Sequence, residues 1–444
     1  MLVDRVLGNA RVYSPEGVVE AGVAIEEGRI SKIAKEINLP SASERLDLKG
    51  LLVLPGLVDA HVHLRDQQLA YKEDFFSGTA AAAAGGVTTV VDMPNNKPET
   101  MSSKALRERM SIARGRAVVN VAFYSAFPRD LGEVCSIVEE GAVGFKLYLS
   151  QKVGGVNIED DEALRQAFEK AGEVKVPVAV HAEDKGTIER RERELRKAGR
   201  KDVEAHRQAH SPEAEIKAIQ RVIRLAEETH AHAHVCHLST AAGLTLVLNA
   251  KKSGLPVTCE VTPHHLFLSS EHVKRLGNLA VVNPPLRTER DAQALWDALR
   301  QGLIDVVATD HAPHALAEKR PASVWAVKPG IVGLETMLPL LLTRVNRGEL
   351  GLSVLVRATS ERPAQLFNLR ERGGLVEGNH ADLAVVDMKR EYKVDASGFC
   401  SKARYSPFDG WKVRGKPVKT FVNGELVMDE GEIVAKPGSG WVVR

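Results

Sequence analysis

The sequence predicts an α/β protein, a TIM (β/α)8 barrel with a small β domain formed jointly by the N- and C-terminal segments. Three observations predict it. Eight apolar, β-branched segments recur through the middle of the chain with helical stretches between them. Short β-like pieces separated by turn residues occupy both ends. Metal-ligand residue types close five of the eight middle segments, where a barrel gathers its reactive groups.

From Leu2 to about Leu48, pieces such as Val23-Ala-Ile25 and Arg29-Ile-Ser-Lys-Ile33 are separated by Gly and Glu-Gly turns. From about Gly374, Ala384-Val-Val386, Lys419-Thr-Phe-Val422 and Glu425-Leu-Val-Met428 read the same way, with Asn423-Gly424 as a hairpin turn. Neither end alone holds enough strands for a core. Residues 1–50 and 374–444 are therefore expected to fold together around a catalytic barrel of residues 51–373. Its strands are expected at Leu57–His61, Thr88–Met93, Val118–Tyr124, Ala142–Tyr148, Pro177–His181, Ala233–His237, Pro256–Val261 and Ile304–Thr309. Asp160-Asp161-Glu162 supplies an N-cap and acidic first turn for one helix, and Ala292–Arg300 forms another. The charged stretch Lys185–Lys201 reads as a solvated helix in a long loop.

Composition excludes several classes. A formal net charge of +2, with both signs interspersed, does not suggest nucleic acid as a partner. No apolar run approaches the roughly 18 residues of a membrane span, and the start lacks a secretory pattern. The 4 cysteines are scattered without paired spacing. These features predict a soluble, cytoplasmic protein with no disulfide framework.

The chemistry gathers at predicted strand ends. The first ends in His61-Val62-His63, the fourth carries Lys146, the fifth ends at His181, the sixth at His237, and the eighth runs into Asp310. Period-two alternation puts His61 and His63 on one face. Taken singly, His181 or His237 reads as a structural histidine and Asp310 as a helix N-cap; their joint placement reads as a metal centre. Lys146 sits opposite Phe145 and Leu147, and a buried ammonium facing two cations is untenable. Carboxylation by CO2 gives an anion with two oxygens able to bridge two metals; the alternative is a lysine that finds an ion pair at the strand end. Two such ions acidify a shared water and polarise a carbonyl, and Asp310 would carry the proton from that water to a leaving nitrogen. Cys236, beside His237, is expected to point away from the metals.

These motifs resemble the cyclic amidohydrolases, most closely the dihydroorotase family in its carboxylated-lysine form. The resemblance spans almost the whole chain: Val58-Asp-Ala-His-Val-His-Leu-Arg-Asp66, Lys72-Glu-Asp-Phe75, Asp92-Met-Pro-Asn-Asn96, Gly144-Phe-Lys-Leu-Tyr148, Val180-His-Ala-Glu183, Asn283-Pro-Pro-Leu-Arg287, Ala308-Thr-Asp-His-Ala-Pro-His314 and Gly333-Leu-Glu-Thr336. It implies that His61, His63, Lys146, His181, His237 and Asp310 hold two zinc ions per chain, with a CO2-derived carbamate on Lys146. It implies a small-molecule substrate, carbamoyl aspartate or dihydroorotate, interconverted by reversible cyclisation in pyrimidine (UMP) biosynthesis. Arg65, Asn95 and His314 would bind the substrate carboxylate with help from Asn283 or its neighbour, and backbone at Pro329-Gly330 would meet the ring. A homo-oligomer or association with other enzymes of that pathway is also implied. An allantoinase or dihydropyrimidinase/hydantoinase lacks a use for Arg65, whose guanidinium can grip a planar carboxylate in two parallel hydrogen bonds. A non-catalytic scaffold is the third reading, and the complete ligand set speaks against it. One departure stands out: Gln67-Gln68 occupy the place where the family usually has Pro-Gly. The loop Ser150–Val156 is flexible by composition and suits a lid.

Overall fold

The computed structural model describes residues 2–444, and its strands fall into two sheets. The first takes strands from both ends of the chain: β1 (Leu2–Ser14), β2 (Gly17–Glu26), β3 (Arg29–Ala34), β4 (Ser41–Asp47) and β5 (Leu52–Pro55). After eight intervening strands, β14 (Leu383–Lys393), β15 (Lys412–Val422), β16 (Glu425–Asp429) and β17 (Glu432–Ile433) complete it. The two contributions join where β14 runs antiparallel to β5, Leu383 opposite Pro55 and Val385 opposite Val53. Asn423-Gly424 makes the β15–β16 turn.

The second sheet is the parallel barrel: β6 (Leu57–Val62), β7 (Val87–Asp92), β8 (Asn120–Ala126), β9 (Ala142–Tyr148), β10 (Val178–His181), β11 (Ala233–Val235), β12 (Val257–Val261) and β13 (Val306–Val307), each paired with the next. Every residue of β6 to β13 is buried, as expected of strands covered on both faces. Outward residues such as Phe145 and Leu147 pack against Leu164, Phe168 and other helical side chains. The helix Asp161–Glu173 buries the stripe Leu164, Ala167, Phe168 and Ala171, and Asp160 caps it as its spacing predicts. The charged helix runs over Lys185–Lys197 and buries only Thr187 and Ile188.

Closure comes from a bridge between Val62 and His311, since β13 has only two residues. The predicted eighth strand is thus shorter than Ile304–Thr309, and the sixth stops at Val235. Asp310 and His237, three and two residues past these strand ends, adopt positive φ angles of 46° and 35° outside the extended region. Among the described residues no helix is long and apolar enough to cross a membrane.

The small sheet meets the barrel through a buried polar knot. Asp382 accepts from the Asn423 amide at 2.7 Å, pairs with Arg372 and faces Asn120 at the start of β8. Asn423 Nδ2 donates to Asn120 Oδ1 at 2.9 Å, and Trp441 N donates to the same oxygen at 3.1 Å. Asp382→Ala strands the Arg372 charge, so urea denaturation is expected to show a loss of about 3–5 kcal/mol. A loss below about 1 kcal/mol would mean that the knot does not hold the sheet to the barrel.

Candidate metal centre

At the C-terminal mouth of the barrel lies a cavity of about 190 Å³ lined by His61, His63, His181, His237 and Asp310. Below the ~300–1,000 Å³ of drug-sized pockets, it suits one small ring. Arg65, Asn95, Asn283, His314, Pro329 and Gly330 line the same cavity, together with Tyr148, Ser150 and Gln151. Sequence reasoning had not singled out Tyr148 or the position of Gln151.

His61 and His63 stand two residues apart across the barrel seam from Asp310. Asp310 Oδ1 lies 3.3 Å from His61 Nε2 and 3.1 Å from His63 Nε2. His63 Nδ1 faces the Asn95 side-chain oxygen at 2.7 Å, and His61 Nδ1 faces Glu260 Oε1. Both contacts place the ring proton on Nδ1 and leave Nε2 with a lone pair toward Asp310. Burial pulls His61 down to about 4, with the Lys146 charge adding, and pulls His63 well below its usual range with Arg65 adding. Both rings are therefore neutral, the form that binds metal.

On the opposite side, His181 Nδ1 and His237 Nε2 are 3.0 Å apart, and Glu183 Oε2 accepts from His181 Nε2 at 2.9 Å. Burial raises Glu183, but His210 and His181 outweigh it and hold the carboxyl well below its usual range. His237 Nδ1 is buried without a hydrogen-bond partner, as are Asn283 Oδ1 and the Tyr148 hydroxyl. Unpartnered polar atoms around a cavity are what an absent ligand leaves behind.

Lys146 lies beneath these groups with no exposed surface. Its Nζ donates to Cys236 Sγ at 2.9 Å and sits 5.0 Å from the centre of the Tyr148 ring. Among the described residues it makes no ion pair. Cys236 corrects the expectation that it turns away from the metals. Because β11 ends at Val235, alternation no longer governs the next residue, and the Cys236 and His237 side chains both face the centre. Burial pushes the Cys236 thiol far up, so it stays protonated. Cys236 and Glu260 form a group with His61 of metal-ligand type, and His61, His63 and Asp310 form a second. Glu260 also accepts from His234 at 3.1 Å and from the His237 amide at 3.1 Å, so its carboxylate serves to orient other groups.

The loop after β6 bends sharply. Arg65, Asp66 and Gln67 take φ angles of 55°, 51° and 50°, and Asp66 has ψ −172°, a region otherwise left to glycine. Arg109, buried on the helix Ser103–Arg116, holds this loop. Its Nε donates to Asp92 at 2.7 Å and its Nη1 to the Arg65 carbonyl at 2.9 Å. Asp92 in turn accepts from Leu64 N at 2.9 Å. The Gln67 side chain accepts from Arg109 at 3.2 Å and from Asn96 Nδ2 at 2.7 Å. A glutamine at this position thus supplies contacts that the usual Pro-Gly could not, which nothing local in the sequence announced. Arg65 itself is 7% exposed and makes no ion pair among the described residues. Asp66 pairs with Arg116 and Glu73 with His311 instead.

The cavity floor is equally fixed. Gly330 lies so close to Ala312 that an added Cβ would stand 2.3 Å from its carbonyl oxygen. Lys319 Nζ donates to the carbonyls of Val281, Lys328 and Gly330 at 2.9, 3.0 and 3.0 Å. The predicted lid loop is pinned at its far end, with Gly154 N donating to Glu99 at 2.8 Å and Gly155 N to Phe127 O at 2.8 Å.

The Amidohydrolase family matches residues 52–427. The chain belongs to the amidohydrolase family. This amidohydrolase is 38% identical over 437 residues to the dihydroorotase of Methanothermobacter thermautotrophicus, covering 98% of this chain and 97% of the relative. It is 35% identical over 449 residues to the L-hydantoinase of Paenarthrobacter aurescens, covering 100% and 98%. A solved structure of L-hydantoinase (dihydropyrimidinase) from Arthrobacter aurescens superposes with a TM-score of 0.96 at 35% identity, covering 99% of each chain. Amidohydrolases generally bind metal ions, and the neutral histidines, the buried carboxylate and the unpartnered His237 nitrogen fit divalent cations.

Replacing Arg109 by Met leaves Asp92 without its counter-charge and the Arg65 carbonyl without its donor. Amide exchange across residues 64–76 is expected to quicken at least about tenfold, while the small sheet keeps its protection. Equal exchange in both proteins would show that the bent loop holds itself.

Proposed function

We propose that this amidohydrolase is a zinc-dependent dihydroorotase that interconverts N-carbamoyl-L-aspartate and L-dihydroorotate in pyrimidine biosynthesis. The observation that carries the reading is Arg65, a buried guanidinium with no acidic partner, on the wall of the cavity that also holds the histidines and Asp310. An uncompensated buried cation is costly unless a ligand supplies the anion. Dihydroorotate carries a carboxylate beside its cyclic amide; allantoin and simple hydantoins do not.

His61, His63, His181, His237, Asp310 and a carboxylated Lys146 would hold two zinc ions; bound, the ions would supply an acidified water and a polarised carbonyl. Lys146 supports this reading because its buried nitrogen has a thiol and no carboxylate for company. Asp310, whose carboxyl burial pushes up, stands where it can take a proton at Oδ1 and return it to the departing ring nitrogen. Arg65, His314 and the Asn95 amide nitrogen bind the carboxylate. Asn283 Oδ1, which has no partner, remains to accept from a ring N–H. The Pro329-Gly330 backbone borders the ring.

A hydantoinase reading draws on the 35% identical relative and its superposition. Substrate choice separates the two. The purified chain is expected to open dihydroorotate and to leave allantoin and 5-substituted hydantoins untouched, with two zinc ions per chain by elemental analysis. Arg65→Ala should lower kcat/KM for dihydroorotate on the order of 10²- to 10³-fold. Turnover of hydantoins with no turnover of dihydroorotate would sink the proposal in favour of the sister enzyme. A chain that takes up no zinc even with added bicarbonate would favour a non-catalytic barrel.

A further inference from the structure

Lys72 lies in the bent loop, three residues beyond the short turn Gln67–Leu69, and is 7% exposed. Its Nζ stands 3.1 Å from His314 Nδ1 and 2.9 Å from Glu318 Oε1. An ammonium only donates, so His314 Nδ1 must accept and the ring proton must sit on Nε2. That Nε2–H reaches the Pro329 carbonyl at 3.0 Å. Arg65 Nη2 is 3.4 Å from the same Nε2, and neither of these two groups can accept from the other. Two donors therefore lie side by side at the cavity wall, where a carboxylate would meet Arg65 Nη2 and share the His314 proton with the Pro329 carbonyl. Burial, reinforced by Arg65 and then Lys72, keeps the His314 ring neutral and well below its usual range.

We propose that Lys72 is a specificity-determining residue of this pocket: it stands behind His314, fixes that ring as an Nε2–H donor, and makes Arg65, His314 and Lys72 one cationic pole for a substrate carboxylate. Glu318 is the acid at this pole. It is shared among Lys72, the Tyr71 hydroxyl at 3.1 Å and the Ala315 amide at 3.0 Å. With Arg65 unpaired, the pole keeps a positive excess. The proposal rests on the dihydroorotase reading and extends it to a residue that touches His314 and acts on the substrate through it.

The test compares wild type, Lys72→Met and Lys72→Arg on dihydroorotate and on its methyl ester, which keeps the ring and loses the charge. Lys72→Met keeps the stem that packs in the loop and removes only the donor. Its KM for dihydroorotate is expected to rise about 10- to 100-fold, with kcat changed less than about threefold. KM for the ester should move less than about threefold, because a positioning role toward the carboxylate does not act on a neutral analogue. Lys72→Arg should recover part of the loss, and orotate binding by calorimetry should weaken in parallel. Equal losses on acid and ester, or an unchanged KM for the acid, would overturn the role of Lys72 alone. A wild type that leaves dihydroorotate closed would overturn the dihydroorotase reading and this inference with it. Should Lys72→Met fail to fold, Glu318→Gln gives the complementary arm. Freeing Lys72 from its acid should leave dihydroorotate binding as tight or tighter, and a KM raised as in a disrupted loop would count against the proposal.

Discussion

The site depends on how the barrel closes. The last strand has two residues, so ordinary pairing cannot seal it to the first. A buried carboxylate does the sealing. Asp59 accepts from the His61 amide at 3.2 Å, the Thr309 amide at 3.0 Å and the Thr309 hydroxyl at 2.5 Å. Two residues further on, His63 N donates to the His311 carbonyl at 2.9 Å. These bonds clasp the ends of β6 and β13 and set Asp310 against His61 and His63. Burial pushes Asp59 up to about 7, the cost of putting a carboxyl in that seam. Three donors offset part of this cost. The seam and the candidate metal group are thus one piece of structure, and loosening either moves the other.

A second constraint governs the substrate side. Backbone angles such as those at Asp66 cost roughly 1–3 kcal/mol each, and they persist only where their surroundings over-determine them. Here the buried Asp92–Arg109 pair and the Gln67 amide do so from beneath, while Glu73 anchors the loop's far end through Ser401 and His311. The bend throws Arg65 over the cavity and folds Lys72 back behind His314. The network that holds Arg65 meets the seam at His311, which ties the substrate side of the site to the histidine cluster.

Much of this was legible in the sequence, for a physical reason. All eight barrel strands overlap the expected segments because buried parallel strands must be apolar, and the ligand types at their ends break that pattern visibly. Lys146 was readable from Phe145 and Leu147, which do face outward. Reasoning failed where local periodicity stops. Cys236 lies one residue past a three-residue strand, where alternation has no authority. Gln67 and Arg109 are 42 positions apart, and only the tertiary fold brings them together. The knot of Asp382, Arg372, Asn120 and Asn423 is likewise composed of residues with no shared local pattern. Tyr148 was read as a strand residue although its ring stacks on His181.

Global similarity places the chain in its family and then stops discriminating. A dihydroorotase and an L-hydantoinase match it at 38% and 35% identity over essentially the whole chain. The reason is that barrel, seam and histidine cluster serve any cyclic amide, and these make up most of the aligned residues. Substrate choice within such a scaffold falls to a few charges beside the ring. A pocket that leaves a buried donor unpaired rejects a ligand lacking the matching acceptor more strongly than one that merely leaves space. On the proposed reading, Arg65, a buried guanidinium with no acidic partner 3.4 Å from the His314 Nε2–H that donates to the Pro329 carbonyl, sets that penalty for a neutral ring. On the proposed dihydroorotase reading, the discrimination lies in a bend of a few residues after β6, where Gln67-Gln68 stand.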